Sequence, residues 1–174
     1  MERTIDLVFT RAVRRAVLGV LLMLGAPAAW SDELSLLING HAHHISPPAN
    51  TNYNERNWGA GLQYDYDRAD NWVPFLTLSE FRDSMRHPSY YAGGGLQYRV
   101  EVAAALDHLH ADFGAVAFVM QRRNFNDGNP FLGALPALTL GTSHVSLNIT
   151  YIPKVHPKLI PLWFFQLKIP LAQY

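Results

Sequence analysis

Trp58-Gly59-Ala60-Gly61-Leu62-Gln63-Tyr64-Asp65-Tyr66-Asp67 is the stretch that decides the fold. Trp58, Ala60, Leu62, Tyr64 and Tyr66 share one parity, and Gly59, Gly61, Gln63, Asp65 and Asp67 share the other. A period of two is the signature of an extended strand with unlike faces. About ten residues, with an aromatic near each end of the apolar face, fit a strand that crosses a bilayer. The pattern recurs along the chain. Val145, Leu147, Ile149 and Tyr151 alternate with His144, Ser146, Asn148 and Thr150, and Trp163, Phe165, Leu167 and Ile169 alternate with Gln166 and Lys168.

Eight segments read as strands, at roughly 34–44, 56–67, 71–81, 90–102, 110–121, 131–140, 144–153 and 161–169. An even number of alternating strands suits closure, because hydrocarbon tolerates no unpaired sheet edge. The expected fold is therefore all-β: an eight-stranded antiparallel transmembrane β-barrel. Arg68-Ala69-Asp70 and Gly141-Thr142-Ser143 read as short turns. Asn50-Thr51-Asn52, Ser84 to Ser89, Arg122 to Pro130 and Lys154 to Ile160 belong to longer polar loops. Short periplasmic turns and long external loops put both termini in the periplasm. The connection around Ala103 to Leu109 is long for such a turn, and Pro170 interrupts the last strand.

Residues 1–31 read as a signal peptide and 32–174 as the barrel. Arg11, Arg14 and Arg15 precede an apolar run from Ala16 to Leu24, followed by the small residues Gly25 to Ala29. That run is short of the ~20 residues a spanning helix needs. Arg3, Arg11, Arg14 and Arg15 against Glu2 and Asp6 leave this segment net positive; the whole chain is formally neutral, so the remainder is slightly acidic. A slightly acidic barrel offers no basic surface for nucleic acid. Cysteine is absent and hydrophobic residues make up 49% of the chain. Export without disulfides or a spanning helix points to the bacterial outer membrane, with a soluble periplasmic β-domain as the alternative.

Eight strands enclose room for side chains or one slender ligand. Gly59, Gly61, Gly93 and Gly95 fall on inward parity, where glycine marks either close approach of a ligand or relief of tight packing. Strict parity turns His41 and His43 inward near the outer mouth and His44 the other way. Asp83 and Ser84 end the third strand at that mouth. Imidazole, carboxylate and hydroxyl there suit general-base and acyl-transfer chemistry. Asp-Ser at a strand end is also an ordinary turn element.

Several motifs then resemble those of the PagP family of lipid A palmitoyltransferases: Tyr53-Asn54-Glu55-Arg56 with Trp58-Gly59; Phe81, Asp83 and Ser84; Ala92-Gly93 and Gly95; Arg122-Arg123-Asn124-Phe125-Asn126; Leu135-Pro136; and Thr150-Tyr151-Ile152-Pro153. The resemblance implies an outer-membrane barrel whose hollow admits one palmitoyl chain. It implies transfer of that chain from a phospholipid donor to lipid A as acceptor. It places the catalytic roles on His41, Asp83 and Ser84, with His41 as general base oriented by Asp83. Gly95 falls at the floor of the acyl well, so a larger side chain there is expected to shorten the accepted chain. Gly93 is the neighbouring inward position. Arg82, Arg122 and Arg123 at the mouth pair with lipid phosphates or are ordinary interfacial cations. Pro136 and Pro153 mark lateral openings or mere bulges. The chain departs from the family at Asn57, where proline is expected, at Gly40, where tryptophan is expected, and in the short segment before His41, which leaves no room for an N-terminal amphipathic helix. No cofactor and no metal are expected, and a monomer is. A non-catalytic barrel that binds a lipid or small apolar ligand is the alternative function.

Overall fold

The computed structural model describes residues 32–66, 71–154 and 160–173. The predicted leader, the Arg68-Ala69-Asp70 turn and most of the 154–160 loop lie outside the described residues. Eight strands run in chain order: β1 (Glu33–His44), β2 (Arg56–Asp65), β3 (Trp72–Arg82), β4 (Pro88–Ala103), β5 (Leu109–Arg122), β6 (Phe131–Gly141), β7 (Ser146–Ile152) and β8 (Leu162–Gln173). Each pairs antiparallel with the next, and β8 returns to β1, closing an up-and-down barrel. The sequence alternation is thus an inside–outside alternation. Leu62, Leu96, Phe113, Leu147 and Leu167 face outward, as a hydrocarbon-facing wall requires. Aromatic residues edge this wall at both ends: Trp58, Tyr90 and Trp163 at the loop end, Tyr66, Trp72 and Tyr98 at the turn end.

The last strand runs on to Gln173, through Pro170. Proline fits because Leu34 pairs with Ala172 and Ser35 with Pro170, so Leu171 is an extra residue at a bulge. The long β4–β5 turn is also accommodated. Asp107 accepts hydrogen bonds from Ser143 Oγ at 2.6 Å and approaches His144 Nδ1 at 2.7 Å, tying this turn to the β6–β7 turn. The Ser143 hydroxyl, then His144, hold the Asp107 carboxyl below its ordinary range. His144 accordingly belongs to a turn, and β7 begins at Ser146.

Gly40 changes the parity of β1. Asn39 pairs with Gln166 and His41 with Phe165, so β1 carries one extra residue against β8. Before this bulge Ser35, Leu37 and Asn39 are buried inside; after it Ala42 and His44 are buried, and His41 and His43 are exposed. Strict alternation through Gly40 turns the histidines the wrong way, and the bulge corrects it.

Polar tiers cross the interior. Asn39 Nδ2 donates to Ser79 Oγ at 2.7 Å, and Gln166 Nε2 donates to Asn39 Oδ1 at 2.5 Å and Tyr91 Oη at 2.9 Å. Toward the turn end, Gln97, Thr139, Asn148, Gln63 and Asp65 form a continuous chain of hydrogen bonds. Lys168, buried at 3% exposure, bonds Asp65 and lies 2.9 Å from Glu33. Arg99 grips Asp112 through two bonds of 2.7 and 2.6 Å. These charges close the turn end of the hollow.

The inward glycines relieve close packing. A Cβ built on Gly95 would lie 2.3 Å from the Ala115 carbonyl and 2.4 Å from Phe75 Cζ, whereas one on Gly40 meets nothing within 4 Å. Gly59, Gly93 and Gly114 face cross-strand carbonyls just as closely. Gly95→Ala should therefore lower stability by about 1–3 kcal/mol, while Gly40→Ala should stay within about 0.5 kcal/mol, measured by urea unfolding of the barrel refolded in lipid vesicles. In the same assay Lys168→Ala, which strands the buried Asp65 carboxylate and the half-buried Glu33, should cost about 3–5 kcal/mol. An unchanged midpoint for Lys168→Ala would refute the charged closure.

Candidate functional site

The loop end of the hollow gathers an imidazole, a hydroxyl and two carboxylates. β1 delivers His44 there, and the turn after β3 delivers Asp83 and Ser84. His44 Nε2 and Ser84 Oγ are 2.9 Å apart, and both residues are buried. Glu55, just before β2, approaches His44 from the other side. Its Oε1 accepts the His44 backbone N–H at 3.2 Å and lies 3.5 Å from His44 Nδ1. That backbone hydrogen bond, more than any other influence, holds the Glu55 carboxyl below its ordinary range. The result is a carboxylate–imidazole–hydroxyl sequence, the order in which a base activates a nucleophile.

The Tyr53-Asn54-Glu55 motif is the clamp for this arrangement. The Tyr53 ring stacks on His44 with centroids 4.7 Å apart and planes 17° from parallel. Asn54 ties the two loops together, since its backbone N–H donates to Ser84 O at 2.8 Å and its Nδ2 to Asp83 O at 3.2 Å. Three consecutive residues thus hold the histidine ring, the Asp83-Ser84 backbone and the His44 backbone N–H.

Asp83 has another task. It is 1% exposed, and its Oδ1 accepts the backbone N–H groups of Met85 and His87, each at 2.9 Å. Its Oδ2 accepts from Ser89 Oγ at 3.3 Å and lies 3.6 Å from Arg122 Nε. The carboxylate therefore shapes the turn that presents Ser84. Arg122 reaches into the mouth and lines the hollow. Arg82 and Arg123 are exposed on the rim.

The structure thus brings Asp83 and Ser84 to one mouth, as the sequence predicts, and joins His44 to Ser84. His41 lies on the outer side of the rim beside His43 and the Phe165 ring. His44 and Glu55 are the residues that sequence reasoning missed. The available signal was Gly40, since an isolated glycine inside a strand pattern marks a bulge.

Below the mouth the hollow is lined by Phe81, Phe118, Leu135, Leu162 and Phe164, with Asn57 and Arg122 at its rim. Asn57 Oδ1 and Arg122 Nε are buried without a hydrogen-bond partner. A ligand with a polar head and an apolar tail would satisfy both halves. Deeper in, Phe75 stands against Gly95, and Gly93 packs against Phe118, so aromatic rings set the inner width.

The wall itself is uneven. The β6–β7 ladder ends at Ala137–Thr150, so among the described residues Phe131 to Pro136 have no β7 partner. The β2–β3 ladder stops at Gly59–Phe81, but there Asn57 Nδ2 donates to Arg82 O at 2.7 Å and stitches the seam.

A protein from Musicola paradisiaca (strain Ech703) named lipid A acyltransferase PagP is 34% identical over 104 residues, which are 60% of this chain and 54% of that protein. One of the same name from Legionella pneumophila is 30% identical over 130 residues, 71% of this chain and 67% of its own. The chain spans about half to two thirds of the length of these curated relatives. The crystal structure of Neisserial surface protein A overlays with a TM-score of 0.47 at 13% identity, covering 80% of this chain and 95% of that one. The sequence model of the family described as "Antimicrobial peptide resistance and lipid A acylation protein PagP" matches residues 30–165, and the chain is a member of that PagP family.

Proposed function

We propose that this barrel resides in the bacterial outer membrane and moves a palmitoyl-type chain from a phospholipid donor to lipid A. The observation that carries the reading is the buried His44–Ser84 contact at the mouth of an apolar hollow, backed by Glu55. Family membership supports acyl transfer as the reaction class, and the hollow suits an acyl tail.

In this reading the donor's acyl chain enters the hollow and brings its ester to Ser84. Ser84 Oγ attacks the ester carbonyl and its proton passes to His44 Nε2. The tetrahedral intermediate collapses, and the lysophospholipid alkoxide leaves with that proton. A lipid A hydroxyl then attacks the seryl ester, giving its proton to His44, which returns it to Ser84. Glu55 holds the imidazole and offsets its transient charge. Arg122, with Arg82 and Arg123 on the rim, offers guanidinium forks to lipid phosphates. The unladdered edge of β6 at Leu135-Pro136 gives the donor a sideways path, since proline there has no N–H to leave unpaired.

Sequence resemblance assigns the base to His41; the burial and hydrogen bond of His44 favour His44. Mass spectrometry of lipid A from cells with and without the chain separates the two. The wild-type chain should add one acyl group, and Ser84→Ala and His44→Ala should reduce the addition by about 100-fold or more, while His41→Ala keeps it. Loss in His41→Ala with retention in His44→Ala would return the role to His41. No acyl gain from a properly assembled wild-type barrel would favour the lipid-binding alternative.

Chain selectivity offers a second test. Phe75 stands where the resemblance puts the floor, and Gly95 has no room for a larger side chain. Phe75→Ala should therefore shift the transferred chain toward greater length, read from the same spectra. An unchanged distribution would refute Phe75 as the stop.

A further inference from the structure

On the outer side of the same rim, the bulge at Gly40 leaves His41 and His43 on one exposed face, two residues apart on a strand. Their rings are 6.5 Å apart and 23° from parallel. Glu55 completes a trio in which one ligand atom from each residue lies within 4.8 Å of the others. We infer that His41, His43 and Glu55 form a zinc-class divalent-cation site that regulates the mouth.

Two imidazoles and a carboxylate form the donor set that zinc takes with three protein ligands and one open position. Tetrahedral bonds of about 2.0–2.1 Å bring ligand atoms to roughly 3.3 Å apart. Small rotations of three side chains that are not buried would close the present spacing. Arg56, opposite His41 in the ladder, is a neighbouring charge that opposes a cation, and its side chain is exposed.

Regulation follows because Glu55 serves both sides of the strand. It is the carboxylate at His44 Nδ1 within the mouth and the third ligand outside it. A bound cation would draw Glu55 from His44 and leave the imidazole poorly oriented toward Ser84. This part rests on the acyl-transfer reading; the binding itself does not.

Zinc binding to the full refolded barrel in detergent, measured by titration calorimetry, tests the site. The wild-type chain should bind one equivalent, His43→Ala should lose about tenfold or more in affinity, and His144→Ala should match wild type. No binding by the wild-type chain, or unchanged binding by His43→Ala, would overturn the site. Cobalt substitution adds a second readout, with the absorption of a tetrahedral ion expected in wild type and absent in His43→Ala. For the coupling, zinc should slow acyl transfer by wild type severalfold and leave His43→Ala, which keeps basal activity, unaffected. Intact binding with unslowed transfer would overturn the coupling. A wild-type chain that binds zinc but transfers no acyl group would fail the acyl-transfer reading while upholding the site.

Discussion

Backbone N–H and C=O groups that face hydrocarbon need partners within the protein, and in this chain the β1–β8 pairing removes the two free edges that an open sheet would leave. Closure forces the remaining features. Eight strands leave an interior too narrow for side chains to pass one another freely, so cross-strand backbones crowd together and glycine occupies the tightest inward positions. The same narrowness lets single side chains reach across. Gln166 of β8 touches both Asn39 and Tyr91, and Lys168 meets carboxylates from β1 and β2. Polar tiers near the turn end and an apolar hollow near the loop end follow from which side chains each strand points inward.

Much of this was legible in the sequence because a closed barrel writes its geometry as a period of two. Strand number, order and the inward glycines all follow from alternation and spacing. The parity argument failed at one residue. Gly40 inserts a bulge, and a single extra residue exchanges the two faces of everything beyond it. His41 and His43 thereby leave the interior and His44 enters it. Asp83 was legible as a mouth residue, but its role was not. Only coordinates reveal that its oxygens are taken by Met85, His87 and Ser89, with Arg122 alongside, while Glu55 is the carboxylate that reaches the imidazole. Pro170 misled for a related reason, since a bulge opposite Leu34 and Ser35 absorbs the missing donor.

The motif that carries family membership also has a local physical meaning. Tyr53, Asn54 and Glu55 lie in a loop, where backbone freedom is greatest, and each spends its side chain on ordering the mouth. Stacking fixes the His44 ring plane, the amide of Asn54 fixes the Ser84 loop, and the Glu55 carboxylate holds the His44 backbone N–H while standing 3.5 Å from Nδ1. Removing any one frees a different element of the site, which is why three adjacent residues in a loop are needed.

The two incomplete seams show how such a wall can interrupt its ladder without losing closure. Among the described residues the regular ladder near the loop end stops at Gly59–Phe81 between β2 and β3 and at Ala137–Thr150 between β6 and β7. At the first seam Asn57 replaces the absent ladder with a side-chain bond to Arg82 O, so the wall is stitched at the position where the sequence resemblance leads one to expect proline. At the second, Pro136 has no N–H to satisfy, and the strand edge is left without a donor at that position. One residue type bridges a gap and the other makes a gap inexpensive. The β6–β7 seam is therefore the less sealed of the two, with Leu135 and Pro136 on its open edge, and this difference is the physical ground for proposing sideways lipid entry there and not at the stitched β2–β3 seam.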